Sequence, residues 1–228
     1  MQNILYYNTI TEIMETLEAI KFTVPFPHLI IKNYYNSKEL ELIWEELNFY
    51  TKPGKLLSAE DFGGVVDATN SNAIPLDELY SAKDGKFRNI SNILTLNRKL
   101  FTPEILNTFA EVHDCCSIAT RCNWDYTKVR YYHNGESYEP HIDSAMPFLA
   151  FSYFYREPKK FEGGEIYFPK YDYELTCENN SIIILPGWVE HGVREVKIQN
   201  SDYYDGYGRY CISNFFGSRS RSQLKEPI

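Results

Sequence analysis

The sequence predicts an α+β protein in which helices come first and a β core, an antiparallel sandwich or barrel, follows. Three observations predict it. Leu40, Ile43, Trp44 and Leu47 recur at helical spacing early in the chain. From about residue 124 onward the pattern becomes short β-branched and aromatic runs bounded by Gly, Pro or Asn. Aromatic residues make up 16%, with 19 tyrosines, which suits strands and a pocket wall better than a helical bundle.

Taken in order, residues 1–22 form a weak lead-in, helical around Ile10 to Ile20. Pro25 and Pro27 then exclude helix, and His28 to Tyr35 reads as a strand. Ser37 can cap the next element, with Glu39 in its first turn, giving a helix over about 38–49. Pro53, Gly54, Gly63, Gly64 and Pro75 punctuate residues 51–90, where no period persists; such a stretch is either a binding lid or a surface excursion. A second helix starts at Thr102-Pro103-Glu104, with threonine as cap and proline at the first helical position, and carries Ile105, Leu106, Phe109 and Val112 on one side. TKVRYY, FLAFSYFY, GEIYFP, SIIILP and RYCISNFF supply the strands. No linker or repeat divides the chain, which reads as one domain over 1–228, with helical support to about 120 and the β core over about 121–217.

A composition of 43% hydrophobic and 24% charged residues is that of a water-soluble globular protein. The net charge of −8 argues against general nucleic-acid binding, which needs a basic face to displace counterions. Five cysteines, an odd number with no CxxC pair, disfavour a disulfide framework and a structural zinc site and fit a reducing compartment. MQNILYYNTI lacks the features of a secretory signal, and no apolar run approaches the ~20 residues of a membrane span. A cytoplasmic protein is expected; oligomeric state is not legible.

The sharpest motif is Pro140-His141-Ile142-Asp143. In a strand, residues two apart point to the same face, so an imidazole and a carboxylate stand side by side. His191 follows 48 residues after Asp143, just beyond SIIILP, where a return strand could bring it alongside. Two histidines and one carboxylate on one face of a metal leave positions open, as non-haem Fe(II) oxygenases require. HxD alone is a weak signal, equally compatible with a surface hydrogen-bonded pair.

The surroundings sharpen it. VRYYHNGESYEPHIDS, with a Tyr, a Gly turn, a second Tyr and His-x-Asp, resembles the signature of the prolyl 4-hydroxylase-like family of 2-oxoglutarate and Fe(II) dioxygenases. FEGGEIYFP and SIIILPGWVEHGVREV resemble that family's GGE-x-x-FP strands and the strand leading to its distal histidine, and PFPHLIIKNYYNSKELELI resembles its first strand and helix. The resemblance implies a double-stranded β-helix (jelly-roll, cupin-like) core with N-terminal supporting helices. It implies iron on His141, Asp143 and His191, with 2-oxoglutarate and O2 as co-substrates and ascorbate as a reductant.

A family member also needs a basic partner for the 5-carboxylate of 2-oxoglutarate, since a buried unpaired charge is costly and arginine's planar fork answers it best. GRYCISNFF resembles the strand that carries it, which makes Arg209 the candidate. The spacing departs from the family: Arg209 lies eighteen positions after His191 rather than about ten, which implies a longer hairpin through QNSDYYDGY turning at Asp205-Gly206 or Tyr207-Gly208. Arg194 and Lys197 compete for the role. Tyr132, nine residues before His141, resembles the tyrosine that donates to the same carboxylate. Tyr138, Ser213 and Trp188 are candidate pocket residues, and Glu190 could orient the imidazole of His191. His28, His113 and His133 read as structural. The resemblance implies hydroxylation of a C–H bond with release of succinate and CO2, and the aspartate at 143 favours hydroxylation over halogenation. The substrate it suggests is a prolyl residue of a protein or peptide. A free amino acid or other small metabolite is the alternative, and a non-catalytic β-barrel binding module a remote one.

Overall fold

The computed structural model describes residues 18–61, 68–80, 91–199 and 202–219. Its centre is a seven-stranded antiparallel sheet (the major sheet). The strands, numbered along the chain, are β1 (Glu18–Phe22), β2 (His28–Lys32), β3 (Asn72–Pro75), β4 (Trp124–Tyr132), β6 (Phe148–Phe154), β10 (Ser181–Pro186) and β13 (Arg209–Gly217). They lie in the order β1-β2-β10-β6-β13-β4-β3. A four-stranded sheet (the minor sheet), ordered β5-β11-β8-β9, is formed by β5 (Tyr138–His141), β8 (Ile166–Phe168), β9 (Tyr173–Leu175) and β11 (His191–Val193). A third, two-stranded sheet pairs β7 (Phe161–Gly163) with β12 (Val196–Ile198).

The strands' period of two divides the core into two layers. On one face of the major sheet Val129, Tyr131, Phe148, Ala150, Ile182, Ile184 and Ile212 pack against helical residues such as Ile43, Leu47, Ile105 and Phe109. On the other face Tyr132, Leu149, Phe151, Ile183 and Cys211 meet Ile166, Phe168 and Val193 of the minor sheet. Every residue of β6 is buried because both faces are covered. This is an α+β arrangement with the two facing sheets of a double-stranded β-helix.

Among the described residues four helices back the major sheet: α1 (Ser37–Tyr50), α2 (Leu76–Tyr80), α3 (Asn92–Leu96) and α4 (Pro103–Ala110). The cap of α1 is Asn36 rather than Ser37. Its side chain accepts from Glu39 N at 3.0 Å, while the Glu39 carboxylate accepts from Asn36 N at 2.9 Å, a reciprocal capping box. Full burial of Ile43 and Leu47 on its inner face contributes about 1.5–3 kcal/mol each. The helix starting at Pro103 forms as the sequence predicts, with Thr102 at the cap position but without a side-chain cap hydrogen bond.

Two other expectations need correction. The helix read around Ile10 to Ile20 lies mostly outside the described residues, and its end is strand: Glu18–Phe22 pairs along all of β2 as the sheet's edge. Nor is there a hairpin between β12 and β13. β12 pairs with β7, and β13 pairs with β4 and β6, so the connection carries the chain from one sheet to another. Gly206, at φ +76°, makes the turn there after Tyr203–Asp205, in a backbone region that favours glycine. Within 51–90, the described part includes the edge strand β3 on β4 and the helix α2; residues 62–67 and 81–90 lie outside the described residues. Among the described residues no helix is long and apolar enough to cross a membrane. All five cysteines are free thiols.

Candidate active site

The minor sheet brings two imidazoles together. β5 ends at His141, β11 begins at His191, and the two are cross-strand partners with ring centres 4.5 Å apart. Asp143 lies just past the end of β5, yet its Oδ2 stands 3.8 Å from His141 Nε2 and 3.7 Å from His191 Nε2. One ligand atom from each of the three residues lies within 4.8 Å of the others. The predicted pairing of an imidazole with a carboxylate two residues on thus holds, although only the histidine is in the strand.

The imidazoles are also oriented. His141 Nδ1 lies 2.9 Å from Glu139 O, and His191 Nδ1 lies 2.9 Å from Val189 O. A carbonyl only accepts, so Nδ1 carries the proton in both rings and Nε2 presents its lone pair toward Asp143. The Val189 carbonyl does what the sequence suggested for the Glu190 carboxylate. Burial, joined by repulsion from His141, pushes His191 down to about 4, so the ring is neutral, as a metal ligand must be. Tyr138 stacks on His141 at 4.0 Å between ring centres, and Phe151 flanks His191 at 5.2 Å.

These groups share a cavity of about 190 Å³ whose other wall is the inner face of the major sheet. Arg209, Cys211 and Ser213 line it from β13, and Lys128, Arg130 and Tyr132 from β4. Arg209 is only 1% exposed. Its Nε and Nη2 donate to Cys177 Sγ, each at 3.2 Å, and the Cys177 thiol donates to Gly164 O at 2.9 Å. Arg209 Nη1 is buried without a hydrogen-bond partner, and so is the Tyr153 hydroxyl beside it. The Arg209 guanidinium carbon lies 4.8 Å from the centre of the Tyr132 ring and 5.0 Å from that of Tyr153. Burial pushes Tyr132 up to about 12, so its hydroxyl keeps a proton to donate.

A permanently charged guanidinium with an unsatisfied buried donor is costly unless an anion reaches it. Three convergent ligands at one end of the cavity, and orphaned donors in the same cavity, fit a divalent metal together with a small dicarboxylate. His141, Asp143 and His191 would hold the metal; Arg209, Tyr132 and Tyr153 would hold the distal carboxylate.

Not every sequence candidate reaches the cavity. Tyr138 and Ser213 line it, but Trp188 does not. Its indole is 48% exposed on the turn after β10, where the neighbouring Val189 takes the inward position. Arg194 is half exposed, paired with Glu174 at 3.3 Å and lying over the Tyr167 ring, and Lys197 is exposed on β12; neither lines the cavity. His28 packs against Phe22 and Phe26, His113 caps a 3₁₀ turn, and His133 lies beside Tyr131 and Tyr203. Lys128, Arg130 and Tyr153 line the cavity and Cys177 accepts from Arg209, although no motif in the sequence marks them.

No protein-family model matches the sequence, and no curated protein matches it. Solved structures do match the fold. A prolyl-4-hydroxylase from Pseudomonas putida superimposes with a TM-score of 0.58 at 11% identity, over 85% of this chain and 93% of that one. A 2OG-Fe(II) oxygenase-family oxidoreductase from Burkholderia pseudomallei gives 0.55 at 14%, over 85% and 86%. A prolyl hydroxylase from Trichoplax adhaerens, in complex with a peptide fragment of the hypoxia inducible factor oxygen degradation domain, gives 0.54 at 12%, over 87% of each chain. The chain therefore has the fold of prolyl hydroxylases and other 2-oxoglutarate/Fe(II) oxygenases.

Proposed function

We propose that the protein is a 2-oxoglutarate- and Fe(II)-dependent dioxygenase that hydroxylates a C–H bond, with a prolyl residue of a protein or peptide as its substrate. The observation that carries the reaction class is the oriented His141-Asp143-His191 group in one cavity with the buried, incompletely satisfied Arg209. The fold likeness supports the same class. When bound, ferrous iron and 2-oxoglutarate supply the oxidation, in which one atom of O2 enters succinate, formed with CO2, and the other enters the hydroxylated product.

The chain's own groups position the reactants. Val189 O and Glu139 O hold the imidazoles in one tautomer, and Tyr138 stacking fixes the ring of His141. Arg209 and Tyr132 anchor the distal carboxylate of 2-oxoglutarate, so that its other end faces the three ligands. Phe151 and Ile166 contribute apolar wall that limits water at the reacting centre. The prolyl assignment leans on the resemblance of the motifs and on the hydroxylases that share the fold. The small cavity favours a second reading, hydroxylation of a free amino acid or similar metabolite.

The test is succinate formation from 2-oxoglutarate with Fe(II) and ascorbate, in the wild type and His141→Ala. Turnover in the wild type and its loss in the variant are expected; equal rates would remove the catalytic reading. A mass gain of one oxygen on peptidyl proline, rather than on a free metabolite, would decide the substrate.

A further inference from the structure

Behind the candidate active-site cavity, three segments of the chain meet at one thiol. Cys177 follows β9 and is 3% exposed; it does not itself line the cavity. Arg209 of β13 brings Nε and Nη2 to its Sγ, each at 3.2 Å. Gly164, just past β7, brings its carbonyl oxygen to 2.9 Å. A carbonyl only accepts, so the sulfur carries its proton, turns it toward Gly164 and presents lone pairs to the guanidinium.

Gly164 also makes room for the arginine. A Cβ there would lie 2.8 Å from Arg209 Cδ and 3.1 Å from Val196 Cγ2, and its φ of +76° favours glycine. The second glycine of FEGGEIYFP thus lets the Arg209 side chain pass and accepts from the thiol that holds it.

A guanidinium offers two bidentate edges: a lateral one, Nε with Nη2, and a terminal one, Nη1 with the second hydrogen of Nη2. Cys177 fills the lateral edge. The terminal edge remains, and Nη1 is the atom that is buried without a hydrogen-bond partner. The other groups around Arg209 are uncharged at neutral pH. Burial pushes Tyr132 up to about 12, the Tyr153 hydroxyl well above its ordinary value and the Cys211 thiol up. Among the described residues Arg209 forms no ion pair.

Granting the function proposed above, we infer that Cys177 is a positioning residue for the co-substrate. Its thiol occupies the lateral edge of Arg209 and aims the terminal edge at the distal carboxylate of 2-oxoglutarate. Being neutral, it leaves the guanidinium charge for that carboxylate. A carboxylate at position 177 would take the lateral edge itself and neutralise Arg209 before the co-substrate arrived. A methyl group there would leave two buried donors unmet and free the guanidinium to turn.

The experiment uses the full chain with Mn(II), which supports binding without turnover. Calorimetry measures the affinity for 2-oxoglutarate and for 2-oxopentanoate, which keeps the metal-chelating end and carries a methyl in place of the distal carboxylate. The wild type should prefer 2-oxoglutarate by about a hundredfold or more. Cys177→Asp should reduce that preference to roughly tenfold or less, with Mn(II) and 2-oxopentanoate affinities retained. Cys177→Ala should weaken 2-oxoglutarate about tenfold and leave 2-oxopentanoate unchanged, and Cys177→Ser, whose hydroxyl can accept from the same edge, should restore most of the loss. If Cys177→Asp fails to fold, the alanine and serine variants decide. A wild-type preference in all folded variants would overturn the inference. So would a parallel fall in both affinities, the mark of a residue that merely supports the fold. Failure of the wild type to bind Mn(II) and 2-oxoglutarate, or to prefer it over 2-oxopentanoate, would sink the parent reading instead.

Discussion

Arg209 is buried among neutral partners, and that sets what its removal should do. Cys177 Sγ takes two of its donors, leaving Nη1 toward the cavity. In the loaded protein the guanidinium would meet a carboxylate in low dielectric, where stripping one member of such a pair costs roughly 3–5 kcal/mol. Arg209→Ala is therefore expected to weaken 2-oxoglutarate binding by more than a hundredfold while Mn(II) binding, read by calorimetry without 2-oxoglutarate, changes little. Unchanged 2-oxoglutarate affinity would move the co-substrate to Arg130. The sequence around Lys128 and Arg130 hides their place in the cavity for a physical reason. In TKVRYY, polar residues alternate with Val129 and Tyr131, the signature of a strand with one face in water. Here the polar face lines a cavity inside the molecule, and alternation alone cannot tell enclosed water or ligand from bulk solvent.

The three metal-binding candidates depend on how two loops meet. Gly187, in the turn after β10, is pressed against the segment that carries Asp143: a Cβ there would lie 2.0 Å from Met146 O and 2.9 Å from Asp143 O. Both neighbours are backbone, so Gly187→Ala must separate the His191 turn from the Asp143 segment. Metal affinity measured with Mn(II) is expected to fall by roughly 10–100-fold, as when groups that orient metal ligands are lost, with the far-ultraviolet circular dichroism retained. Unchanged affinity would show that the site does not need this close approach. At this scale the sequence was informative wherever a strand was long and central. SIIILP and RYCISNFF form where their composition predicts. It was less so for β1 and β3, edge strands with one neighbour each, because pairing with β2 and β4, rather than their own residues, makes them strands. The His-x-Asp spacing was legible because it is a short pattern local to one segment; that β11 would lie directly against β5 was a matter of tertiary pairing.

Across the whole molecule, the sheets are tied by loops whose charges respond to pH. Glu136, between β4 and β5, accepts from His133 N at 2.7 Å through its carboxylate, and its carbonyl accepts from Val196 N of β12 at 2.9 Å. Burial pushes its carboxyl up to about 7, against the opposing pull of the His133 N–H. The folded state then keeps a proton that the unfolded chain releases near 4.5. The contribution of Glu136 to stability is full below about 4.5, falls as pH rises toward 7, and is flat above. Thermal unfolding of Glu136→Gln should lack this decline, gaining on the wild type between these pH values; parallel curves would show that the carboxyl is not shifted. The helical layer and an antiparallel β core were legible from patterning, and the jelly-roll only from the resemblance of the motifs, whereas the route from β12 to β13 was not, since a chain crossing between sheets leaves no period in its residues. That route has a consequence for biosynthesis. β13, late in the chain, fills the gap between β4 and β6 and brings Arg209 with it. A ribosome that has made β4 and β6 but not yet β13 holds two long strands with bare facing edges, a template for sticking to other chains. Until β13 threads into that slot, the nascent protein has neither a continuous sheet nor Arg209 in its cavity.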